Sequence, residues 1–348
     1  MNFDFLKEMV ETESVSGGEI KLQKKVRDYM QSKDVAVRTD YSGNVISSLN
    51  PESPFQILMA GHIDEIGFRV THITKEGYLK VNKAGYIRPE LMQGKRVTVL
   101  GKKRLTGVFG LLLKEGTVRK DIELYEMYVD CGFTDQKEAA AQVEIGDFVT
   151  YTYTLDQLEN RRIAGRALDD KLGAFSVLQA LLRARELGCR VGLNAVTTVG
   201  EETTMRGAYF AASGLKPDLA IAVDVIHSSD YSGSEEASFG DIKLGSGPVL
   251  VRTSSSNEKI YQALKATAEK LDIKVQTEVA GGNSGTDSDK MTQCLAGIPT
   301  AVLSIPLRYM HSPSEVGSLQ DVEETIELLA QFAAGLSENF NLDPFTEY

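Results

Sequence analysis

The sequence is poor in cysteine. It has three, Cys131, Cys189 and Cys294, odd in number, far apart and in no C-x-x-C pair. That excludes a disulfide framework and a zinc knot and fits free buried thiols in a reducing compartment. Basic charge is also in deficit: 38 Lys and Arg stand against 49 Asp and Glu, for a net charge of -11, a balance that repels nucleic acid and anionic membrane surfaces. No run of about eighteen apolar residues occurs, so no membrane-spanning helix is expected. The opening MNFDFLKEMV carries an acid at Asp4 and lacks the basic region and apolar stretch of a secretory signal. Together these absences predict a cytoplasmic protein with neither nucleic acid nor membrane as a partner. Internal repeats and low-complexity stretches are absent as well.

What remains is ordinary globular material: 348 residues, 42% hydrophobic and 25% charged, enough for a sizeable core in one large α/β domain with insertions or in two domains. From Phe3 to about Lys33 the apolar spacing predicts a surface helix pair, broken at SVSGGE, where Ser16 could cap the second helix. AVRTDYSGNVISSL and FQILMAGHIDEIGFRV read as strands. Between about Phe68 and Asn160 short strands follow closely with glycine between them, interrupted by one helix near Thr134 to Gln142, which predicts a small antiparallel barrel or sandwich. After Arg161 helix and strand alternate. KLGAFSVLQALLRARELG reads as an amphipathic helix, RVGLNAVTTVG as an apolar strand, RGAYFAASGL as a helix and DLAIAVDV as a buried strand, the pattern of a mostly parallel sheet flanked by helices. The expected organisation is therefore α/β: residues 1–67 and 161–348 closing on each other as one domain, with a β-rich domain, 68–160, inserted. EEASFGDIKLGSGP reads as a loop-rich connection.

With only four histidines, each can be weighed. His62 lies in AGHIDEIG at the carboxyl end of an apolar strand, where open α/β sheets place ligand sites. Asp64, two residues on, faces the same side of an extended chain and can orient the imidazole from behind; a satisfied polar pair is the plain alternative. Asp169 and Asp170 precede a helix, where one aspartate suffices for capping and a second invites another use, such as bridging two cations. Glu201 and Glu202 follow NAVTTVG; in an extended chain neighbours point opposite ways, so one can turn to a metal and the other to a water. Two solvated loop glutamates are the competing reading. Asp224 ends an apolar strand, where a lone charge is costly unless paired or coordinated. His311 follows the apolar strand TAVLSIP. His72 and His227 read as ordinary surface or turn histidines. Taken together, His62, Asp169, Glu202, Asp224 and His311 form the nitrogen and oxygen donor set of a pair of divalent ions such as zinc, cobalt or manganese.

AGHIDEIGF, GRALDDKLG, GEETTMRGA, AIAVDV, SGTDSD and RYMHSPSE, in this order and spacing, resemble the M42 family of dinuclear metallo-aminopeptidases, over nearly the whole chain. The resemblance implies a dinuclear zinc exopeptidase fold with an inserted PDZ-like β-barrel that serves dimerisation. It implies His62, Asp169 and Asp224 on one metal and Asp169, Glu202 and His311 on the other. It implies Glu201 as general base, Asp64 as the aspartate behind His62, and a cis peptide between Asp169 and Asp170. The activity implied is removal of N-terminal residues from peptides with a free amino terminus, in a homo-oligomer built from dimers that extends in many members to a tetrahedral dodecamer. The chain departs from the family's pattern at Gly200, where a polar residue is usual, at Thr203 and Thr204, and at GGNSGTDSD. All fall where the substrate cleft is expected and bear on side-chain preference.

Two other functions compete with this reading. A serine hydrolase using Ser284 and His311 would need glycine two places after the serine, where Thr286 stands. A carbohydrate-acting or non-catalytic scaffold could use the glutamate pair but has no use for the histidines. Arg308, near His311, could meet an acidic side chain, although a structural arginine at the strand exit is favoured.

Overall fold

The structure, a computed structural model, describes residues 1–234 and 240–346. The start of the EEASFGDIKLGSGP connection, 235–239, therefore lies outside the described residues. The chain opens with helices α1 (Phe3–Glu11) and α2 (Ile20–Gln31). Asn2 caps α1, its Oδ1 accepting from the Phe5 amide at 3.2 Å. The predicted cap at Ser16 is not made: α2 starts four residues later, after Glu19, and the Ser16 hydroxyl pairs instead with that of Thr203 at 2.9 Å.

Strands β1 (Ala36–Thr39), β2 (Val45–Leu49) and β3 (Gln56–His62) begin the main sheet. The chain then leaves it for β4 (Gly67–Ile73), β5 (Leu79–Ala84), β6 (Arg96–Leu100), β7 (Arg104–Phe109), a ribbon of β8 (Leu113–Lys114) and β9 (Thr117–Val118), β10 (Val129–Asp130), helix α3 (Gln136–Ala140) and β11 (Phe148–Tyr151). Six of these strands close an antiparallel barrel in the order β10-β5-β4-β11-β6-β7, as the density of short strands predicts. Phe68, Phe109, Met127 and Val129 fill its core, and closure leaves its strands no free edge. β12 (Asp156–Leu158) pairs outside the barrel with β13 (Arg162–Gly165), which in turn pairs with β19 (Glu315–Ser318).

The remainder supplies α4 (Leu168–Glu186), β14 (Gly192–Thr198), the single turn α5 (Glu201–Thr204), α6 (Arg206–Leu215), β15 (Leu219–His227), β16 (Val249–Arg252), α7 (Glu258–Lys270), β17 (Gln276–Val279), the short α8 (Ser288–Met291), β18 (Thr300–Leu307) and α9 (Leu319–Gly335). The main sheet runs β1-β2-β14-β3-β15-β18-β16-β17. Its centre, β14-β3-β15-β18, is parallel, with antiparallel pairings toward both edges. Among the described residues no helix is long and apolar enough to cross a membrane, and the three cysteines are free.

Helix α4 differs from expectation. From Leu168 to Leu178 every residue is buried, and only toward its end, at Arg185 and Glu186, does the helix expose a polar face: β3, β14 and β15 lie against it on one side and α1 and α9 pack on it as well. Its charged residue Lys171 is wholly inaccessible. The Lys171 ammonium donates to the Thr12 carbonyl at 2.8 Å and lies 3.3 Å from Glu65 Oε2. That carboxylate also receives buried Arg166 and, through Oε1, the Ser14 amide at 2.8 Å. Burial holds the Lys171 ammonium well below its ordinary value and lowers Arg166 to about 10, with the Glu13 carboxylate opposing the effect on both from further off; Glu65 is the carboxylate both cations touch. Glu65→Ala strands two buried cations and is expected to lower unfolding stability by about 3–5 kcal/mol. Urea denaturation measures it, and a loss within the range of a surface substitution would refute the dependence.

Candidate metal centre

The site collects at the carboxyl edge of the parallel strands, where backbone direction brings loop residues from several elements together. His62 is the last residue of β3, and Asp224 lies toward the end of β15. Asp169 is at the start of α4, Glu201 and Glu202 open α5 after β14, and His311 follows β18. β3 and α4 approach so closely that a Cβ on Gly61 would sit 2.4 Å from the Ala174 amide nitrogen. Glycine there lets the histidine reach the aspartate.

The aspartate pair divides its work. The peptide between Asp169 and Asp170 is cis. Asp170 caps the regular part of α4, Oδ1 accepting from Gly173 N at 3.0 Å, while Oδ2 accepts from His62 N at 3.1 Å. Asp169 has its two oxygens on two histidines, Oδ1 at 3.1 Å from His62 Nε2 and Oδ2 at 3.1 Å from His311 Nε2. Glu201 Oε2 and Asp224 Oδ1 lie 3.8 and 3.9 Å from His62 Nε2, and Glu202 Oε2 lies 3.6 Å from His311 Nε2. All six side chains, His62, Asp169, Glu201, Glu202, Asp224 and His311, line one cavity of about 680 Å³.

Three details depart from the sequence reading. Glu201 and Glu202 are not extended: Gly200, at φ 67°, turns the chain and starts a helical turn, so the glutamates diverge by helical rotation instead of strand alternation. Asp64 orients them more than it orients the imidazole. Its carboxylate accepts from Glu201 N at 2.9 Å and Glu202 N at 3.2 Å, whereas His62 Nδ1 meets the Asp64 backbone carbonyl at 3.1 Å and the carboxylate only at 3.6 Å. His227 is half-buried and lines the cavity at the end of β15, unlike His72, which is exposed on β4.

Glu315 was not singled out in the sequence, although it closes the RYMHSPSE motif. It is buried, accepts from His311 N at 2.9 Å and Asp169 N at 3.1 Å, and so ties the two facing segments together. The only available signal was a charge four places after a histidine in a proline-bearing turn. Asp287, within SGTDSD, is a second omission: it is buried and accepts from the Thr198 hydroxyl at 2.5 Å. Ser284 lines the cavity but bonds Asp289 Oδ1 at 2.9 Å and the Thr286 hydroxyl at 2.8 Å, and His311 Nε2 faces Asp169. Ser284 and His311 are therefore not paired with each other. Arg308 grips Asp230 through two bonds of 2.9 and 2.7 Å, a structural role.

The charge balance of the centre calls for a cation. Burial raises Glu201 to about 10 and Asp224 to about 7, with neighbouring carboxylates adding to the effect and His62 opposing it. Burial and Asp169 raise Glu315 to about 8. Burial alone would lower His62, but Asp169, Asp64, Glu201 and Asp224 outweigh it and raise its proton affinity well above the ordinary range. Asp169 shifts the other way: against the effect of burial, the bonds to His311 and His62 hold it below the carboxylate range. Glu201 Oε1 and Glu202 Oε1 are shut off from solvent without a hydrogen-bond partner among the described residues. Carboxylates that lie beside imidazole nitrogens and keep one buried oxygen unpaired are the donors a divalent ion requires. Among the described residues two groups converge closely enough to hold an ion, His62 with Asp169 and Glu202, and His62 with Asp170 and Asp224. In the second, both oxygens of Asp170 are already engaged by backbone amides.

An open α/β sheet with a histidine and carboxylate cluster of this kind in a cavity at its strand ends defines a metal-dependent hydrolase. The chain belongs to the M42 glutamyl aminopeptidase family, whose model matches residues 43–328, and it is a metal-dependent aminopeptidase. It is 32% identical over 343 residues to the lysyl aminopeptidase of Pyrococcus furiosus, covering 94% of this chain and 95% of that one. Its fold is similar to the TET aminopeptidase of a marine sediment thaumarchaeon, with TM-score 0.91, 30% identity and coverage of 97% and 96%. It is also similar to the Pyrococcus horikoshii TET1 peptidase, which can assemble into a tetrahedron or a large octahedral shell, with TM-score 0.85, 29% identity and coverage of 96% and 99%.

Proposed function

We propose that this metallo-aminopeptidase removes N-terminal residues from peptides at a dinuclear centre, with zinc or cobalt as the metals and manganese as a substitute. In this reading His62, Asp169 and Asp224 hold one ion and Asp169, Glu202 and His311 the other. The observation that carries it is the placement of the two Asp169 oxygens, each 3.1 Å from a different histidine Nε2, the arrangement expected of a bridging carboxylate. Bound divalent ions supply Lewis acidity and lower the pKa of a coordinated water toward neutrality. The rest falls to the chain. Glu201 lines the same cavity, and its Oε1 has no hydrogen-bond partner among the described residues; it acts as general base and returns the proton to the leaving amine. Asp64 fixes it there by capping the turn that carries it. Surplus carboxylate receives the substrate's α-ammonium, which confines attack to the first peptide bond.

Residues 1–67 with 161–348 form the catalytic domain in this reading, and 68–160 the inserted, PDZ-like dimerisation domain. The protein works in the cytoplasm as a homo-oligomer, a dimer or a larger shell of dimers. Hydrolysis of aminoacyl anilides is expected to vanish on chelation, to return with zinc or cobalt, and to be indifferent to serine-directed phosphonates. Phosphonate inactivation with insensitivity to chelators would overturn the reading.

A further inference from the structure

The cavity continues well past the metal-binding side chains, across one face of the main sheet. Strand register defines its floor. Asp224 on β15 pairs with Ser304 on β18 and Ala222 with Val302, Val302 pairs with Val251 on β16, and Val251 pairs with Glu278 on β17. Paired residues in a ladder share a face, so these side chains stand on the same side of the sheet. Ser304, Val302, Val251, Ala280 and Glu278 all line the cavity. From Asp224 the floor therefore runs over buried valines to a carboxylate on the outermost strand.

Beyond the backbone ladder, no hydrogen bond or ion pair of the Glu278 side chain is found among the described residues. Its Oε2 is shut off from solvent and has no hydrogen-bond partner among the described residues, and no ion pair to it is found among them. Burial raises its proton affinity. Glu278 is half-buried, and with one oxygen in that condition at the end of an apolar trough its carboxylate is better served once a cation is brought to it.

We propose that Glu278 is a specificity-determining residue that selects substrates whose N-terminal residue is lysine or arginine. The inference rests on the aminopeptidase reading above and adds to it the class of side chain removed. Three strand steps of about 4.8 Å and two residues of about 3.3 Å put the Glu278 Cα about 16 Å from that of Asp224. Once the two acidic side chains have taken their share of that gap, only a long side chain spans the rest. Lysine and arginine have such stems, which lie well on apolar surface while the charged head reaches a polar end. Val302 and Val251 match the stem, and Glu278 matches the head. Leucine or methionine would fill part of the trough and leave the carboxylate as it was. Lys290 on α8 lines the same cavity with the opposite charge, so the rival occupant is an acidic side chain; the solvent-excluded, unpartnered oxygen belongs to the glutamate, and that favours the basic one.

The test uses the metal-loaded protein and lysyl, arginyl, leucyl and glutamyl anilides. The lysyl-to-leucyl and arginyl-to-leucyl ratios of kcat/KM are expected to exceed about 10 in the wild type, and to fall by about 10- to 100-fold in E278Q, the worth of one charge-assisted hydrogen bond. E278K is expected to move the preference toward the glutamyl substrate. A wild type that hydrolyses the leucyl anilide with no preference for basic residues overturns the proposal and leaves the aminopeptidase reading standing. So does a glutamyl preference that disappears in K290M, and so does an E278Q variant with unchanged ratios. A metal-loaded protein that hydrolyses none of the anilides defeats the underlying reading instead.

Discussion

Glu201→Gln is expected to retain its metal and to lose about 10²- to 10⁴-fold in turnover, the usual worth of a positioned general base. The substitution is close to isosteric. The bonds that hold residue 201 in place run from its backbone amide to Asp64 Oδ1, so they survive the change of side chain. Glu201 Oε1 accepts no hydrogen bond among the described residues, and amide for carboxylate exchange therefore strands no donor. What disappears is the ability to take a proton. Metal content by atomic emission and kcat on an aminoacyl anilide decide the matter together. Full metal with full activity would remove Glu201 from the mechanism, and lost metal would make it a ligand.

Removing the metal is expected to destabilise the protein increasingly as pH rises. In the chelated protein Asp224 titrates at about 7, Glu315 at about 8 and Glu201 at about 10, against an ordinary carboxylate value of about 4 in the unfolded chain. A raised folded value means that the folded state holds protons the unfolded state has released. Stability contributed by these protons is complete below about pH 4 and is lost as pH climbs toward each folded value. His62 and His311, also raised, act in the same direction, because their charge helps while they are protonated. Asp169, held low, acts oppositely, but its contribution is already constant above about pH 4. Divalent ions replace those protons and bind more tightly as the pH rises. The gap in Tm between loaded and chelated protein should therefore widen from about pH 5 to about pH 8. A gap that narrows over that range would mean that the carboxylates are not the metal's partners.

Much of this was legible in the residues. The main sheet and the barrel showed in the spacing of apolar and β-branched segments, because strand and helix periods are local properties. Helix α4 misled, because its charged residues suggested a polar face along its whole length; Lys171 is instead neutralised by Glu65, more than a hundred positions away in the chain, as is Arg166 just before the helix. Asp64 was noticed for its distance from His62 along the chain, yet its oxygens are used by α5, which arrives from the far side of β14. Glu315 escaped notice because its partners are two backbone amides, and backbone groups carry no sequence signature. His227 gave no cue that a cavity would open beside it.

The sequence by itself determined the chemistry available: a few histidines and carboxylates, each next to an apolar strand or a helix start, in an order and spacing shared with the M42 family. It determined this because side-chain type and strand-end position are written along the chain. The tertiary structure alone decided which groups stand close enough to share a proton or an ion, which carboxylate oxygens among the described residues are left without a partner, and where the cavity that holds these groups ends. Those outcomes depend on strand order and register, which bring β3, β15, β18, β16 and β17 side by side from distant parts of the chain. They depend as well on burial, which leaves one oxygen of a half-buried glutamate such as Glu278 without solvent or a partner among the described residues.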